Sequence, residues 1–299
     1  MTSIAELNHH QTDLDHGGKI VVLDSGAILT AEMTAMLQAL HSRSTSGIYG
    51  HLDVLAERGA DNFMKTFYVG YGHKSIGDCG VGIVFIEGIS MLAAKAIQDS
   101  QLYNGQEAST RYIDFANQKF LNPLGKNAGA EIQEKWRRFY LKAVEQMKEE
   151  LPNRYPMQDG EKEAIYQKAI NARAFDITRG FLPAGATTNI AWTTTLRQFD
   201  DRIMQLLHHP LAEVREIAEK LNGALLATYP SSFKEMTDER MEKYRATHDY
   251  IALTYEQYYH HDPTCSEIDL THDGVDHAEL SQYRELFEKR PPQTELPKW

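Results

Sequence analysis

A short polar segment, residues 101–112 (QLYNGQEASTRY), carries side chains suited to binding a phosphorylated ligand. It presents the carboxylate of Glu107, the hydroxyls of Ser109 and Thr110 and the guanidinium of Arg111. An arginine matches phosphate with a planar fork of donors, hydroxyl and backbone N–H groups complete such a cradle, and a carboxylate can orient a sugar or an arginine. The same spacing fits a polar loop with a surface ion pair between Glu107 and Arg111. Composition alone leaves both interpretations open and favours the loop.

Two more motifs accompany this segment along the chain. Residues 72–75 (GHKS) lie upstream, and residues 179–183 (RGFLP) lie downstream, followed by residues 195–197 (TLR). In chain order the three motifs are G-H-x-[ST], E-A-S-T-R-Y and R-x-x-L-P. This order and the spacing between the motifs resemble those of the flavin-dependent thymidylate synthase family. The resemblance covers residues 20–235. Each motif is weakly specific alone, and the combination is what points to the family.

The family resemblance implies a reaction and the molecules that take part in it. The reaction is the reductive methylation of C5 of a uracil nucleotide, UMP or dUMP. The resemblance implies FAD as the cofactor, methylene-tetrahydrofolate as the carbon donor and NADPH as the reductant. It also implies a homotetramer whose active sites lie at subunit contacts. The chain looks similar to a branch of the family that methylates UMP or dUMP in polyoxin-type nucleoside-antibiotic pathways.

The resemblance also implies which residues bind these molecules. Arg111 and Arg179 are expected to clamp the phosphate and the pyrimidine. Ser75 and Arg197 are expected to touch the flavin, and His73 to line the flavin and folate approach. The expected nucleotide-binding set is Glu107, Ala108, Ser109, Thr110, Arg111, Arg179 and His208. The expected cofactor-binding set is His73, Ser75, Asp99, Ser100, Gln101, Thr195, Arg197 and Asp201.

Several family positions carry different residues in this chain. The family's R-H-R triplet falls on residues 99–101 (Asp, Ser, Gln), which removes positive charge from the flavin and nucleotide region. The family arginine that acts at uracil N3 falls near Leu206, so His208 and Arg202 are the candidate replacements. The family frame is therefore kept, whereas its specificity contacts are changed.

These departures leave three functions open. The first is a methylase acting on UMP or dUMP. The second is a non-catalytic paralogue that binds nucleotide or flavin. The third is a folate- and flavin-dependent RNA uridine methylase, which the formal net charge of −11 disfavours because a phosphate backbone repels an acidic surface. The retained residues favour the enzyme, since a chain degenerating freely would not keep Glu107, Ser109, Arg111, Arg179 and Arg197 together.

The composition of the 299-residue chain is ordinary for a globular protein, with 42% hydrophobic and 24% charged residues. No apolar run approaches the ~20 residues that span a bilayer, and the first residues are polar and acidic, unlike a signal peptide. We therefore expect a cytoplasmic protein without membrane or nucleic-acid partners. Cys79 and Cys265 suggest neither a disulfide nor the nucleophile of the unrelated thymidylate synthases. The histidine pairs lack metal-ligand spacing, so no metal is expected.

The elements that must position these residues indicate an α+β fold, mainly helical, with a mixed central sheet. A β-branched run predicts a strand at 19–23, and residues 81–86 form a strand or the start of a buried helix. Apolar residues at helical spacing predict helices over 30–40, 90–98, 131–151, 161–174 and 211–225. The expected organisation is a disordered lead at 1–18, a catalytic domain at 19–235 and a C-terminal extension at 236–299.

Overall fold

A five-stranded sheet is the centre of the fold. The structure, a computed structural model, describes residues 9–24, 26, 29–44, 47–122 and 125–234. The strands follow the order β1–β2–β3–β5–β4 across the sheet. They are β1 (His9–Asp13), β2 (Lys19–Leu23), β3 (Val81–Ser90), β4 (Asn104–Glu107) and β5 (Thr187–Thr195).

One face of the sheet forms the core because apolar side chains alternate along its central strands. On β3, Val84 and Ile86 are fully buried, and their neighbours across the sheet continue the same face. Ile86 pairs with Ile20 of β2 on one side and with Ile190 of β5 on the other. This period-of-two burial is what fixes the register, since a one-residue slip would turn the apolar set towards solvent.

The sheet is antiparallel throughout, which corrects the expected mixed sheet. All four strand pairs, including the central β3–β5 pair, run in opposite directions. A parallel pair needs a crossover connection that carries the chain back to the end of the sheet at which the first strand begins. Here the helical excursion between β3 and β5 instead returns the chain to the end at which β3 stops, since Thr187 at the start of β5 pairs with Ser90 at the end of β3. The predicted α+β class with mostly helical content is confirmed.

Eight α-helices surround the sheet within the described residues. They are α1 (Ala31–His41), α2 (Gly47–Arg58), α3 (Asp61–Phe63), α4 (Met91–Gln98), α5 (Asn127–Arg154), α6 (Glu163–Thr178), α7 (Leu196–Leu207) and α8 (Ala212–Thr228). The five predicted helices correspond to α1, α4, α5, α6 and α8. The stripe on α8 buries Val214, Ile217, Leu221 and Leu225 as its spacing predicts.

Helix caps anchor the elements next to the site. The hydroxyl of Thr30 accepts from the Met33 N–H at 3.2 Å and starts α1. Ser90 ends β3 and caps α4, since its hydroxyl accepts from the Ala93 N–H at 3.0 Å. The same hydroxyl donates to Glu213 of α8 at 2.7 Å, and the Ser90 N–H donates to the other carboxylate oxygen at 2.7 Å. The junction between β3 and α4 is thereby tied to α8.

Two regions differ from the sequence predictions. Residues 9–13 form strand β1, so the predicted disordered lead is wrong there, because pairing with β2 gives their backbone groups partners. Residues 1–8 lie outside the described part. Residues 47–79, for which the sequence analysis predicts no helix, contain α2, α3, a π-helix (Met64–Gly70) and a 3₁₀-helix (Lys74–Cys79).

The chain divides into two compact units, each considered by itself. The described residues of the first unit run to Leu207 and resume at Glu213, whereas His208–Ala212 belong to the second. The predicted extension at 236–299 lies outside the described residues. In the part of the chain that the structure describes, no helix is both long and apolar enough to cross a membrane.

Candidate functional site

The E-A-S-T-R-Y motif begins on the edge strand of the sheet. Glu107 ends β4 and accepts from the side-chain amide of Gln98 at 3.0 Å. The next N–H, that of Ala108, donates to the Asn189 carbonyl of β5 at 2.8 Å. Ser109 then caps a 3₁₀-helix (Thr110–Tyr112), with its hydroxyl accepting from the Arg111 N–H at 3.4 Å. The motif therefore leaves the sheet through one short capped turn that orients Arg111.

Packing within the protein requires a glycine at position 105. A Cβ at this position would overlap the Ala191 carbonyl oxygen and the Tyr103 ring. Tyr103 in turn donates from its hydroxyl to the Ala191 carbonyl at 2.9 Å and stacks on Trp192 at 6.1 Å between ring centroids. The close approach of β4 to β5 depends on the missing side chain.

Arg111 and Arg179 converge on one carboxylate, that of Asp176. The Arg111 Nε lies 3.2 Å from Asp176 Oδ1, and its Nη2 contacts Oδ2, which makes the pair bidentate. Arg179 follows α6 and places Nη1 3.7 Å from the same Oδ1. We call these three residues the arginine clamp. All three side chains remain at least one-third exposed, so a ligand can reach them.

The electrostatics of the arginine clamp favour the ionised forms of Asp176 and Arg111. The hydrogen bond from Arg111, and then the charges of Arg111 and Arg179, hold the pKa of Asp176 below its usual range. The same bond raises the pKa of Arg111. Two guanidinium groups thus share one carboxylate, and the cluster carries an excess positive charge. A phosphate with two negative oxygens can replace Asp176 as the partner of the arginine forks.

Arg197 and Asp201, two of the residues predicted to bind the cofactor, lie in a second cluster. In this cluster carboxylates outnumber cations. Arg197 donates from Nε to Asp78 Oδ1 at 2.7 Å. Lys74 contacts Asp200 and lies 3.6 Å from Asp201. We call these five residues the carboxylate cluster. Two cations face three carboxylates there, so every cation already has an anionic partner.

The predicted residue His73 lies directly before the 3₁₀-helix Lys74–Cys79, and the predicted residue Ser75 lies within that helix. The His73 ring stacks with Phe67 and Tyr71, at 6.3 and 6.0 Å between centroids. Phe67 also packs on Phe63 at 4.8 Å, which gives a surface array of four aromatic rings. Ser75 is exposed, and its backbone carbonyl accepts from the Cys79 thiol at 3.7 Å.

Thr195 and the 99–101 triplet have local structural roles. The Thr195 hydroxyl accepts from the Gln198 N–H at 3.3 Å and so helps to begin α7. Residues 99–101 form the turn between α4 and β4, where the Asp99 N–H donates to the Lys95 carbonyl at 2.9 Å. The side chains of Ser100 and Gln101 make no hydrogen bond or ion pair in the described part of the chain. The turn itself contains no lysine or arginine, and the nearby charge of Arg202 on α7 interacts with Asp99.

The two candidate replacements for the missing arginine have different positions. Arg202 on α7 donates to the Ala96 carbonyl, and to the Gln205 side chain at 2.7 Å. Burial lowers the pKa of Arg202, and the charge of Asp99 opposes that shift. His208 is buried and belongs to the short segment of the second unit, while Leu206 is 1% exposed in the core. Protein acceptors thus engage both terminal nitrogens of Arg202, whereas its buried Nε has no hydrogen-bond partner among the described residues.

Sequence reasoning named Asp201 of the carboxylate cluster and missed Asp176, Asp78 and Asp200. Asp176 precedes Arg179 by three residues, the spacing that places two side chains on one helix face, so its pairing with Arg179 could have been read from the sequence. Its bidentate contact with Arg111 could not, because the two residues lie 65 positions apart. Asp78 and Asp200 likewise meet their cations only through the fold. Within the described residues, no three His, Cys, Asp or Glu side chains are grouped as a metal site.

The described residues fit the ring system of a flavin dinucleotide but not its diphosphate. A flat ring system fits the aromatic array of Phe67, Tyr71 and His73, because stacking needs only an exposed π-face. A diphosphate does not fit the carboxylate cluster, because its three carboxylates would repel it. Any diphosphate contact of this chain must therefore lie elsewhere.

Comparison with known proteins gives one family and several distant relatives. The model of the family described as thymidylate synthase complementing protein matches residues 29–231. Two similar curated proteins are UPF0159 proteins of Chlamydia muridarum (strain MoPn / Nigg) and Chlamydia pneumoniae, each 24% identical over 64% and 58% of this chain. A third, from Thermoplasma acidophilum, is 22% identical over 58% of it. The chain spans only 38, 35 and 42% of the length of these three relatives.

Proposed function

We propose, from the premise that this chain belongs to the thymidylate synthase complementing protein family, that it methylates C5 of a uracil nucleotide reductively. The family implies flavin-dependent thymidylate synthesis. The observation that carries the proposal is the arginine clamp, in which Arg111 and Arg179 converge on Asp176. A uridylate phosphate is the ligand that such a pair of exposed guanidinium groups would take.

The arginine clamp would bind the nucleotide by exchange of carboxylate for phosphate. Without ligand, Asp176 holds the Arg111 fork in a fixed orientation, which reduces the entropy lost when a ligand binds. Phosphate would then replace Asp176, while Asp176 keeps Arg179 within reach. The Ser109 hydroxyl lies one turn away and would add a donor. Glu107, fixed by Gln98, would orient the sugar, and the backbone N–H of Thr110 would complete the site, since the Ala108 N–H already donates to the Asn189 carbonyl.

FAD, methylene-tetrahydrofolate and NADPH are the proposed cofactor and co-substrates. When bound, FAD supplies hydride and one-carbon transfer chemistry that no amino-acid side chain provides. The array of Phe67, Tyr71 and His73 would hold the flat rings. Burial, and then the charge of Asp78, raises the pKa of the Cys79 thiol, so this cysteine is a poor nucleophile. The protein's contribution would be binding and orientation rather than covalent catalysis.

The substrate is proposed to be UMP, dUMP or both, in nucleoside-antibiotic biosynthesis. This narrower proposal rests on the resemblance to the polyoxin-type branch and on the changed residues 99–101, where the family's cations are missing. Fewer cations near the flavin and sugar would change which nucleotide is preferred. The proposed homotetramer with shared sites would let a neighbouring copy supply the diphosphate contacts that the carboxylate cluster cannot.

The test is nucleotide binding by the flavin-loaded protein, followed through its visible absorption spectrum. Titration of UMP and dUMP should shift the flavin bands of the wild type. Arg111→Ala should weaken the binding affinity for the preferred nucleotide about 30-fold. This is the size expected for loss of a bidentate charged hydrogen bond. Arg58→Ala, an exposed arginine at the end of α2, is the matched control and should leave binding unchanged. Equal binding by wild type and Arg111→Ala would refute the assignment of the clamp.

A non-catalytic paralogue is the second candidate, and the carboxylate cluster favours it. Arg197, expected to touch the flavin, is already neutralised by Asp78. This alternative predicts a spectral shift with nucleotide but no methyl transfer. Transfer of the labelled one-carbon unit from methylene-tetrahydrofolate to UMP or dUMP would exclude it, and its absence at saturating co-substrates would exclude the methylase instead.

A further inference from the structure

A cleft separate from the carboxylate cluster opens between α5, α6 and the residues that follow the E-A-S-T-R-Y motif. Its volume is about 470 Å³, within the range of pockets that hold small organic ligands. The floor is apolar and consists of Ile113, Phe115, Leu141, Val144 and Phe175. All of these residues belong to the first compact unit. The size and floor suit a flat ring system of one or two rings.

The ionic groups at the mouth of the cleft are already paired. Arg111 is held by Asp176, and Lys148 donates to Glu145 at 2.8 Å. The Asp114 carboxylate accepts from the Ala116 N–H at 3.0 Å and from a neighbouring asparagine at 2.8 Å. Arg111 is shared with the arginine clamp and is assigned to the nucleotide, so a different ionic ligand in the cleft would have to break the Lys148–Glu145 pair. An uncharged ligand would not, so the mouth favours a molecule without net charge.

One polar group in the wall has no partner. The hydroxyl of Tyr140 makes no hydrogen bond within the described residues, although the side chain is 1% exposed. Its ring packs edge-on against Phe115 at 5.6 Å, which fixes its direction. Buried polar groups in native proteins are nearly always paired, so a buried hydroxyl in a cleft wall indicates a missing acceptor. Burial also raises the pKa of Tyr140, so the group remains a donor.

We propose that this cleft binds an uncharged, flat aromatic molecule whose carbonyl or hydroxyl oxygen accepts a hydrogen bond from Tyr140. The apolar floor would hold the ring, and Tyr140 would fix its orientation. Lys148, which lies 5.7 Å from the Phe175 ring centroid, would close the mouth without contributing a free charge. The cleft borders the arginine clamp through Arg111, but the proposal does not rest on the proposed methylation, because neither nucleotide nor flavin contacts the apolar floor or Tyr140 in it.

The experiment uses coumarin, an uncharged bicyclic carbonyl compound, and the full-length protein. A ligand-observed NMR titration to about 5 mM should reach saturation with the wild type, as expected for a weak small ligand. Tyr140→Phe, which removes only the hydroxyl, should weaken coumarin binding about fivefold, the effect of one neutral hydrogen bond. Tyr155→Phe, whose hydroxyl lies outside the cleft, is the matched control and should bind as the wild type does.

Three results would overturn the proposal. They are no saturation of the wild type, equal affinity of wild type and Tyr140→Phe, and tighter binding of coumarin-3-carboxylate than of coumarin. If Tyr140→Phe does not fold, Val144→Ile takes its place as the test variant. The larger isoleucine side chain narrows the cleft and must lower the affinity for coumarin. Unchanged binding to a folded Val144→Ile variant would also refute the site. Because none of these measurements involves nucleotide or flavin, failure here is distinguishable from failure of the proposed methylase.

Discussion

The arginine clamp and the carboxylate cluster both consist of basic side chains paired with aspartates. They differ in the ratio of cations to carboxylates. In the clamp, two guanidinium groups share the single carboxylate of Asp176. In the cluster, Lys74 and Arg197 face three carboxylates. An anion can therefore compete for the first region and is repelled by the second. An arginine in a binding motif is thus available to an anionic ligand only where the neighbouring carboxylates of the protein do not outnumber the cations.

The largest effect should come from removing both cations of the clamp. Arg111→Ala with Arg179→Ala should weaken nucleotide binding about 300-fold or more, because two charged contacts to phosphate are lost. Arg197→Ala, in the carboxylate cluster, should change nucleotide affinity by no more than about twofold, because Asp78 already occupies it. The measurement is isothermal titration calorimetry with UMP and dUMP. Comparable losses in the two variants would remove the distinction between the regions.

A smaller effect, of opposite sign, should follow removal of the carboxylate in the clamp. Asp176→Asn leaves two arginines without a charged competitor, so nucleotide affinity should rise about threefold to tenfold at low salt. The gain should shrink as salt screens the exposed guanidinium groups. Asp78→Asn is the matched control in the other cluster and should leave nucleotide affinity unchanged. A loss of affinity in Asp176→Asn would mean that orientation of Arg111 by Asp176 outweighs competition.

Prediction from sequence worked where a local pattern decides the structure. The α8 stripe of Val214, Ile217 and Leu221 and the strand at 19–23 follow from apolar spacing alone. It failed for β5 (Thr187–Thr195), because buried threonines hide its alternation and only pairing with β3 shows which face is apolar. It also failed for β1, which is polar along its length and is ordered by β2.

The candidate site was predicted in part for the same reason. The family resemblance implied that Arg111 and Arg179 bind one ligand, which stays a prediction, and the structure brings both to the same carboxylate. The sequence could not show that Arg197 meets Asp78, since the two lie 119 positions apart and pair only after β5 and α7 have folded onto the 3₁₀-helix. Charge balance is a property of the fold, whereas residue type is a property of the sequence.

The carboxylate cluster should contribute to stability even if it binds no ligand. Asp78→Asn breaks the pair with Arg197, whose two side chains are 35% and 34% exposed. The free energy of unfolding should fall by about 1 kcal/mol, near the upper limit for a partly exposed pair. Urea denaturation at pH 7 measures this loss. A matched substitution, Glu145→Gln, breaks the more exposed pair with Lys148 and should cost less. A larger loss of stability in Glu145→Gln would contradict the greater contribution expected of the less exposed Asp78–Arg197 pair.

The smallest effect concerns the pH dependence of the clamp. The pKa of Asp176 is lowered in the folded state by the Arg111 hydrogen bond, from an ordinary value of 3.8. The folded protein therefore binds the proton less readily than the unfolded chain. The resulting stabilisation is fully present above pH 3.8 and is lost as the pH falls through the lowered folded pKa.

Thermal melts between pH 7 and pH 3 test this sign. Below the ordinary carboxyl pKa, wild-type Tm should fall more steeply than that of Asp176→Asn, by on the order of one degree for so exposed a pair. Arg111→Ala should abolish most of the difference, because the hydrogen bond that lowers the pKa is gone. If Asp176→Asn and the wild type lost stability in parallel down to pH 3, Asp176 would not be paired with Arg111 in solution. The charge balance that separates the two regions would then have to be assigned without that carboxylate.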